Sequence, residues 1–360
     1  MLDVVLDYLR REAEVGGYEL ATRSAAELEA VYASLAQLVG AAPDEIATFG
    51  GATQAWAVAF ASICFEPGDR ILLSRAEYVS SVLSCLRLAQ RMDVSVEVVP
   101  DDEHGQLDVA ALSGMLDERV RLVAVTHVPT NSGLVNPVEV IGSLLRETDA
   151  MYLVDACQSV GQMVVDVEAI GCDLLSSTGR KFLRAPRGTG FLYVRRSALD
   201  RLDPIFVDLR AATWVAADRY EFRHDARRFE TWERNVATTL GLGTAADYAR
   251  SWGLDSIARR VGQLSSDLRE HLDAIGRVEV RDPGRDRCGI VTFTIDGVDP
   301  EVFASELRSE GINVWFSNIS TARLDFEARG LESVVRASIH YYNTEDELDR
   351  LIEAVGTRAQ

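Results

Sequence analysis

Between residues 46 and 194 short apolar runs of strand length alternate with amphipathic stretches of helical period, and that alternation leaves few folds open. Strands that take turns with helices imply a mostly parallel sheet covered on both faces. Strands are expected at 46–49, 70–74, 95–99, 122–128, 151–155, 174–176 and 191–194, with helices at 54–64, 80–91, 109–116 and 138–147. Long helices follow at 237–252 and 257–275, and a smaller unit over 278–360 carries strands at 289–295 and 334–340. The expected architecture is α/β: a large unit over 1–255, opened by a helical segment at 1–20, and a smaller α+β unit over 256–360. No internal repeat or low-complexity linker separates the two, so they should associate tightly.

Composition narrows what such a fold can do. The formal charge of −19, with no basic tract to offset it, excludes nucleic acid and anionic membrane as partners. Cys64, Cys85, Cys157, Cys172 and Cys288 are scattered without CxxC spacing and read as reduced, mostly buried thiols of a cytoplasmic protein. The five histidines show no spacing suited to a metal. The first eleven residues are amphipathic and charged rather than a signal peptide, and no apolar run approaches the roughly 18 residues of a membrane span.

In open α/β sheets ligands bind beyond the carboxyl ends of the strands, and several chemically loaded residues fall there. Lys181 lies in Ser176-Ser-Thr-Gly-Arg-Lys181, between small hydroxyl residues and the Gly-rich turn before the strand at 191–194. It is either a solvated surface charge or an amine held at a constrained turn, able to act as a Schiff-base nucleophile once its pKa falls. Gly50-Gly51-Ala52-Thr53 joins a strand to a helix; it is a tight turn capped by Thr53, or a phosphate cradle of exposed N–H groups. Asp155 ends an apolar strand, with Gln158 three residues on. It caps a following helix, or meets a cation such as a protonated pyridine nitrogen, with Gln158 bonding a ring oxygen. His127 reads as a core histidine. Arg336, on the apolar strand Val334–His340, is half of a structural ion pair or a bidentate carboxylate clamp. Gly241-Leu-Gly-Thr-Ala-Ala246 lies inside a helical pattern with no strand before it, so a dinucleotide site is rejected. Cradle, pyridinium partner, lysine and clamp together describe pyridoxal 5′-phosphate chemistry on an amino acid.

With these motifs the chain resembles the class V aminotransferase family, fold-type I pyridoxal-phosphate enzymes that include cysteine desulfurases and isopenicillin N epimerase-like proteins. The resemblance covers nearly the whole chain. It implies Lys181 as the Schiff-base lysine within Thr178-Gly-Arg-Lys181, Thr178 as a phosphate ligand and Arg180 in place of the usual histidine. It implies Asp155 at the pyridinium, Gln158 at the ring hydroxyl, and Gly51-Ala52-Thr53 at the phosphate. Tyr78 of Glu77-Tyr78 stands where the family has the ring-stacking histidine, and Arg336 where it binds the substrate carboxylate. Thr130 and Asn131 are expected near the substrate. Three departures stand out. Residues 311–335, where desulfurases carry a persulfide-forming cysteine, contain none. The family's Gly-Thr that reaches the partner subunit's phosphate is replaced in Arg228-Phe-Glu-Thr-Trp-Glu-Arg-Asn235, which leaves Arg234 or Asn235 to take the role or the contact to be lost. A usual N-terminal Leu-Asp-x-Ala-like motif is absent.

Residues 12–18, 126–131 and 179–188 are similar to the subgroup containing hercynylcysteine sulfoxide lyase and relatives in lincosamide biosynthesis. That resemblance implies a homodimeric, cytoplasmic lyase that cleaves the C–S bond of a cysteine S-conjugate or its sulfoxide, as in ergothioneine or antibiotic biosynthesis. The same residues also support decarboxylation-coupled oxidative deamination, transamination or epimerisation. A non-catalytic relative of the fold is the alternative from another class.

Overall fold

The computed structural model describes residues 1–359. Three N-terminal helices, α1 (Leu2–Val15), α2 (Gly17–Arg23) and α3 (Ala25–Val39), precede the first strand. The chain then alternates through β1 (Ile46–Phe49), α4 (Ala52–Ala61), β2 (Arg70–Leu73), α5 (Val79–Ala89), β3 (Ser95–Val98) and α6 (Val109–Met115). It continues through β4 (Val120–Thr126), α7 (Val138–Leu145), β5 (Met151–Asp155), α8 (Val167–Ile170), β6 (Leu174–Thr178) and β7 (Gly190–Val194). These strands form one seven-stranded sheet in the order β1-β7-β6-β5-β4-β2-β3. All its neighbours pair in parallel except β7, which runs antiparallel to both β1 and β6.

Period-two alternation divides the strand side chains between two cores. Val123, Val125, Tyr152, Val154, Phe191 and Tyr193 pack on one face with residues of α3 and α9 (Val236–Trp252). Leu122, Ala124, Leu153, Leu174, Leu192 and Val194 pack on the other with Trp56, Val58 and Phe60 of α4. Burial on both faces explains why these strands read as unbroken apolar runs.

Beyond the sheet come an exposed hairpin, β8 (Ala212–Ala216) and β9 (Arg219–Phe222), then α9 and α10 (Leu254–Asp273). The chain ends with β10 (Val278–Val280), β11 (Ile290–Ile295), α11 (Pro300–Ser309), β12 (Trp315–Asn318), α12 (Arg323–Ala328), β13 (Ser333–Ser338) and α13 (Glu345–Arg358). Its four strands make an antiparallel sheet in the order β10-β11-β13-β12, packed on Leu264, Leu268 and Leu272 of α10. Among the described residues no helix is long and apolar enough to cross a membrane.

The expected α/β sheet is present, and 46–49 and 151–155 are strands over those residues. Most other edges shift by one to three residues, the strand expected at 334–340 ending at Ser338 and the helix expected at 54–64 running from Ala52 to Ala61, and two of the shifts have a clear physical reason. The strand expected at 122–128 ends at Thr126, because Glu77 takes the Thr126 amide and Pro129 has none to offer a neighbour. The strand expected at 174–176 runs on to Thr178, since β7 pairs Phe191 with Ser177 and Gly190 with Thr178. Strands β8, β9, β10 and β12 had no expectation; β8 carries no buried alternation, with Thr213 to Ala216 all exposed.

Candidate active site

The carboxyl ends of β1, β4, β5 and β6 converge on a cavity of about 670 Å³. Its wall includes Gly51, Ala52 and Thr53 from the β1–α4 junction, Tyr78 at the start of α5, and Thr130 beyond β4. Asp155, Cys157 and Gln158 enter from the end of β5, and Thr178, Arg180 and Lys181 from the end of β6. Residues far apart in sequence thus meet because parallel strands present the same end to one side.

Lys181 reaches this wall as a partly buried amine, with no ion pair or hydrogen bond from its side chain among the described residues. Burial lowers its pKa below the usual lysine value, against smaller opposing effects of Cys157 and Asp155. An amine eased towards neutrality is a nucleophile and a base. Asp155 is buried, and one of its oxygens, Oδ1, accepts from the Cys157 amide at 2.8 Å. No helix starts there; the next begins at Val167, so the capping alternative falls away for Asp155. Thr53 is not a cap either. The N-cap of α4 is Gly51, no side chain caps the helix, and the amides of Ala52, Thr53 and Gln54 have no acceptor among the described residues.

Thr130 ties the site together. Its Oγ1 accepts from Gln158 Nε2 at 2.9 Å and from Arg336 Nη1 at 3.0 Å. With both lone pairs engaged, the hydroxyl proton is free to point elsewhere. Gln158 Oε1 and Arg336 Nε are buried without partners. Such orphans signal a polar group that completes them. Arg336 makes no ion pair among the described residues, and burial presses its pKa down to about 10, which leaves it a cation at neutral pH. It stands in the middle of β13, opposite Thr292 and Trp315.

Other expected residues are placed differently. Asn131 is buried outside the cavity wall, and its Nδ2 donates to Asp325 Oδ2 at 2.7 Å. His127 is buried, its Nδ1 is unpartnered, and burial lowers its pKa to about 4, so it stays neutral. Arg234 Nη1 donates to Tyr32 Oη at 2.6 Å and Glu230 Oε2 at 3.1 Å, while Asn235 Oδ1 caps α9 through the Thr238 amide.

Two participants had no role in the sequence reading. Cys157 lines the wall between Asp155 and Gln158, and burial raises its thiol pKa well above the ordinary value; its place in Asp-Ala-Cys-Gln was the available signal. Glu77 accepts from the Thr126 amide at 2.6 Å and the Thr126 hydroxyl at 2.8 Å, and burial lifts its pKa to about 7. It braces the β4 exit beneath the cavity.

Pyridoxal 5′-phosphate fits the residues present. Free helix amides and guanidinium groups suit its phosphate, the Lys181 amine its aldehyde, and Asp155 its ring nitrogen, while the unpartnered Gln158 oxygen can accept a hydrogen bond from a bound ligand.

Comparison with known proteins agrees with this fit. The model of the family "Aminotransferase class-V" matches residues 1–351. A probable cysteine desulfurase of Methanothermobacter thermautotrophicus is 33% identical over 343 residues, covering 94% of this chain and 86% of that protein. The apo structure of a cysteine desulfurase from Thermococcus onnurineus superposes with a TM-score of 0.91 at 26% identity, covering 99% of this chain and 91% of that one. A complex of the cystine C–S lyase C-DES with cysteine persulfide gives a TM-score of 0.88 at 22% identity, covering 99% and 93%, a likeness of fold alone.

Proposed function

The chain belongs to the class-V aminotransferase family and is a pyridoxal 5′-phosphate enzyme, and on that premise we propose that it cleaves the C–S bond of a cysteine S-conjugate or its sulfoxide by β-elimination. The observation that carries this choice is the absence of any cysteine from residues 311–335. A desulfurase takes its sulfur onto a cysteine in that segment; elimination needs no such acceptor. The subgroup of hercynylcysteine sulfoxide lyase and its lincosamide-pathway relatives fits this chemistry and is part of the proposal.

Bound in the cavity, the cofactor supplies an electron sink for the pair released when a bond to Cα breaks. Lys181 would hold it covalently, with Thr53, Thr178 and Arg180 around the phosphate and Tyr78 across the ring. Asp155 would keep a proton on the ring nitrogen, and Gln158 would face the ring oxygen. Arg336 would take the substrate carboxylate, turning the Cα–H bond across the ring plane. The Lys181 amine, eased towards neutrality by burial, would remove that proton. The sulfur group then leaves Cβ with the C–S bonding pair. With one water consumed, the other products are pyruvate and ammonia.

The division into units over 1–255 and 256–360 belongs to the same proposal, as does a cytoplasmic homodimer. Exposed Phe206, Leu209, Trp214, Tyr220 and Trp232 support a partner subunit on the hairpin side. Buried Cys85, Cys172 and Cys288, all free thiols, suit a reducing compartment.

Desulfuration is the second reading, favoured by the names of relatives such as that of M. thermautotrophicus. Product analysis separates the two. Pyruvate, ammonia and a free thiol from S-substituted cysteines support elimination; alanine and a persulfide from free cysteine, with the conjugates untouched, would sink it. Carbon dioxide release would point instead to oxidative deamination.

A further inference from the structure

We propose that Arg187 is a ligand of the cofactor phosphate supplied by this same chain, standing in for the contact that the family draws from the partner subunit. The inference rests on the cofactor assignment and on four observations.

The replaced segment is already engaged. Arg234 is bonded to Tyr32 and Glu230, and Asn235 caps α9, so the two residues expected to take over the contact to a neighbour's phosphate are engaged within the chain. Arg187 lines the same cavity as the unbonded amides at the start of α4. The β1–β7 register sets Phe49 opposite Gly190. A Cβ on Gly190 would stand 2.8 Å from the Gly51 carbonyl carbon and 2.9 Å from the Ala52 nitrogen. Only glycine permits that approach, and it presses the turn from Arg187 against the amino end of α4. Gly188, with φ of 83°, makes the bend that returns the chain to β7.

Charge supplies the other two observations. Arg187 and Arg180 both line the cavity, and neither forms an ion pair among the described residues, in a chain of net charge −19. The only carboxylate in the wall, Asp155, has one oxygen bound to the Cys157 amide. The amides at the start of α4 are equally free. A phosphate monoester near neutral pH carries close to two negative charges, which two guanidinium groups balance while making paired hydrogen bonds. Arg336 is then left for the substrate carboxylate.

The test compares the binding of pyridoxal 5′-phosphate and of pyridoxal, which lacks the phosphate, to cofactor-free wild type and Arg187→Ala, read by visible absorbance and tryptophan quenching. Arg187 is exposed and makes no hydrogen bond within the chain, so the variant should fold, and pyridoxal binding is its internal check. The expected result is a ten- to hundredfold weaker hold on pyridoxal phosphate with pyridoxal affinity unchanged within about twofold. Arg187→Lys should recover part of the loss. Equal weakening of both ligands, or no weakening of either, overturns the proposal. So does unchanged cofactor binding with a raised KM, which would put Arg187 on the substrate. If wild type binds neither ligand, the cofactor assignment itself fails.

Discussion

The two sheets contribute to the cavity in different ways. Asp155, Thr178 and Lys181 stand at or within three residues of the carboxyl ends of strands buried on both faces, so the seven-stranded sheet positions them directly. Arg336 is not itself in the cavity lining; it sits mid-strand in the four-stranded sheet and donates from Nη1 to Thr130, which is. The loop after β4 carries two more such ties, Asn131 to Asp325 and the Gly133 amide to Asp282, itself paired with Arg269. One wall is set by backbone ladders and the other by a few side-chain bonds. The cofactor side should therefore tolerate damage to the clamp side, while the clamp depends on both.

The largest effect tests the first wall. Lys181→Ala should lower turnover by about 10³-fold or more, and borohydride should no longer fix the cofactor to the protein; retained turnover would end the mechanism given above. Arg336→Ala tests the second wall, with a rise in KM of about 10²-fold and cofactor affinity unchanged. If that variant also released the cofactor, the two walls would not be separable. Thr130→Val removes the acceptor shared by Gln158 and Arg336. A fall of about tenfold in kcat/KM is expected, with Thr130→Ser recovering most of it; an unimpaired Thr130→Val beside an impaired Thr130→Ser would make the methyl group, not the hydroxyl, the important part.

The smallest effect concerns the root of the connecting loop. Burial holds His127 neutral down to about pH 4, whereas the unfolded chain takes up that proton near 6.5. The unfolded state binds more protons in that window, so the His127 contribution is full above pH 6.5 and is lost as pH falls towards 4. Glu77, raised to about 7, acts with the opposite sign between 4.5 and 7. The difference between wild type and His127→Leu in denaturant midpoints at pH 7, 6 and 5 is therefore the quantity to measure. It should change by about one proton's linkage, and parallel pH curves would rule the role out.

The same contrast explains what could be read from sequence. Asp155 ends an apolar run that announces its own strand, whereas Lys181 follows Leu-Leu-Ser-Ser-Thr and was ambiguous until set beside Thr53, Asp155, Gln158 and Arg336. Arg336 was visible as a charge on an apolar strand, but its bond to Thr130 spans 206 residues and leaves no local trace. Asn131 looked like a substrate contact from its neighbours; its partner Asp325 lies 194 residues on. Hairpin β8–β9 escaped notice because exposed Trp214, Val215 and Tyr220 blur the alternation that marks a half-buried strand.

Strand β7 has a consequence for how the molecule assembles. It pairs with β6 across a short loop, but with β1 only after most of the large sheet's sequence has been looped out between them. Loop closure of that length is entropically expensive and slow. The amino end of α4 and the Arg187 turn come together only through this pairing, so the pocket proposed for the phosphate is complete only when the sheet is. A cofactor that binds there stabilises the long-range closure, and it rewards the folded chain alone.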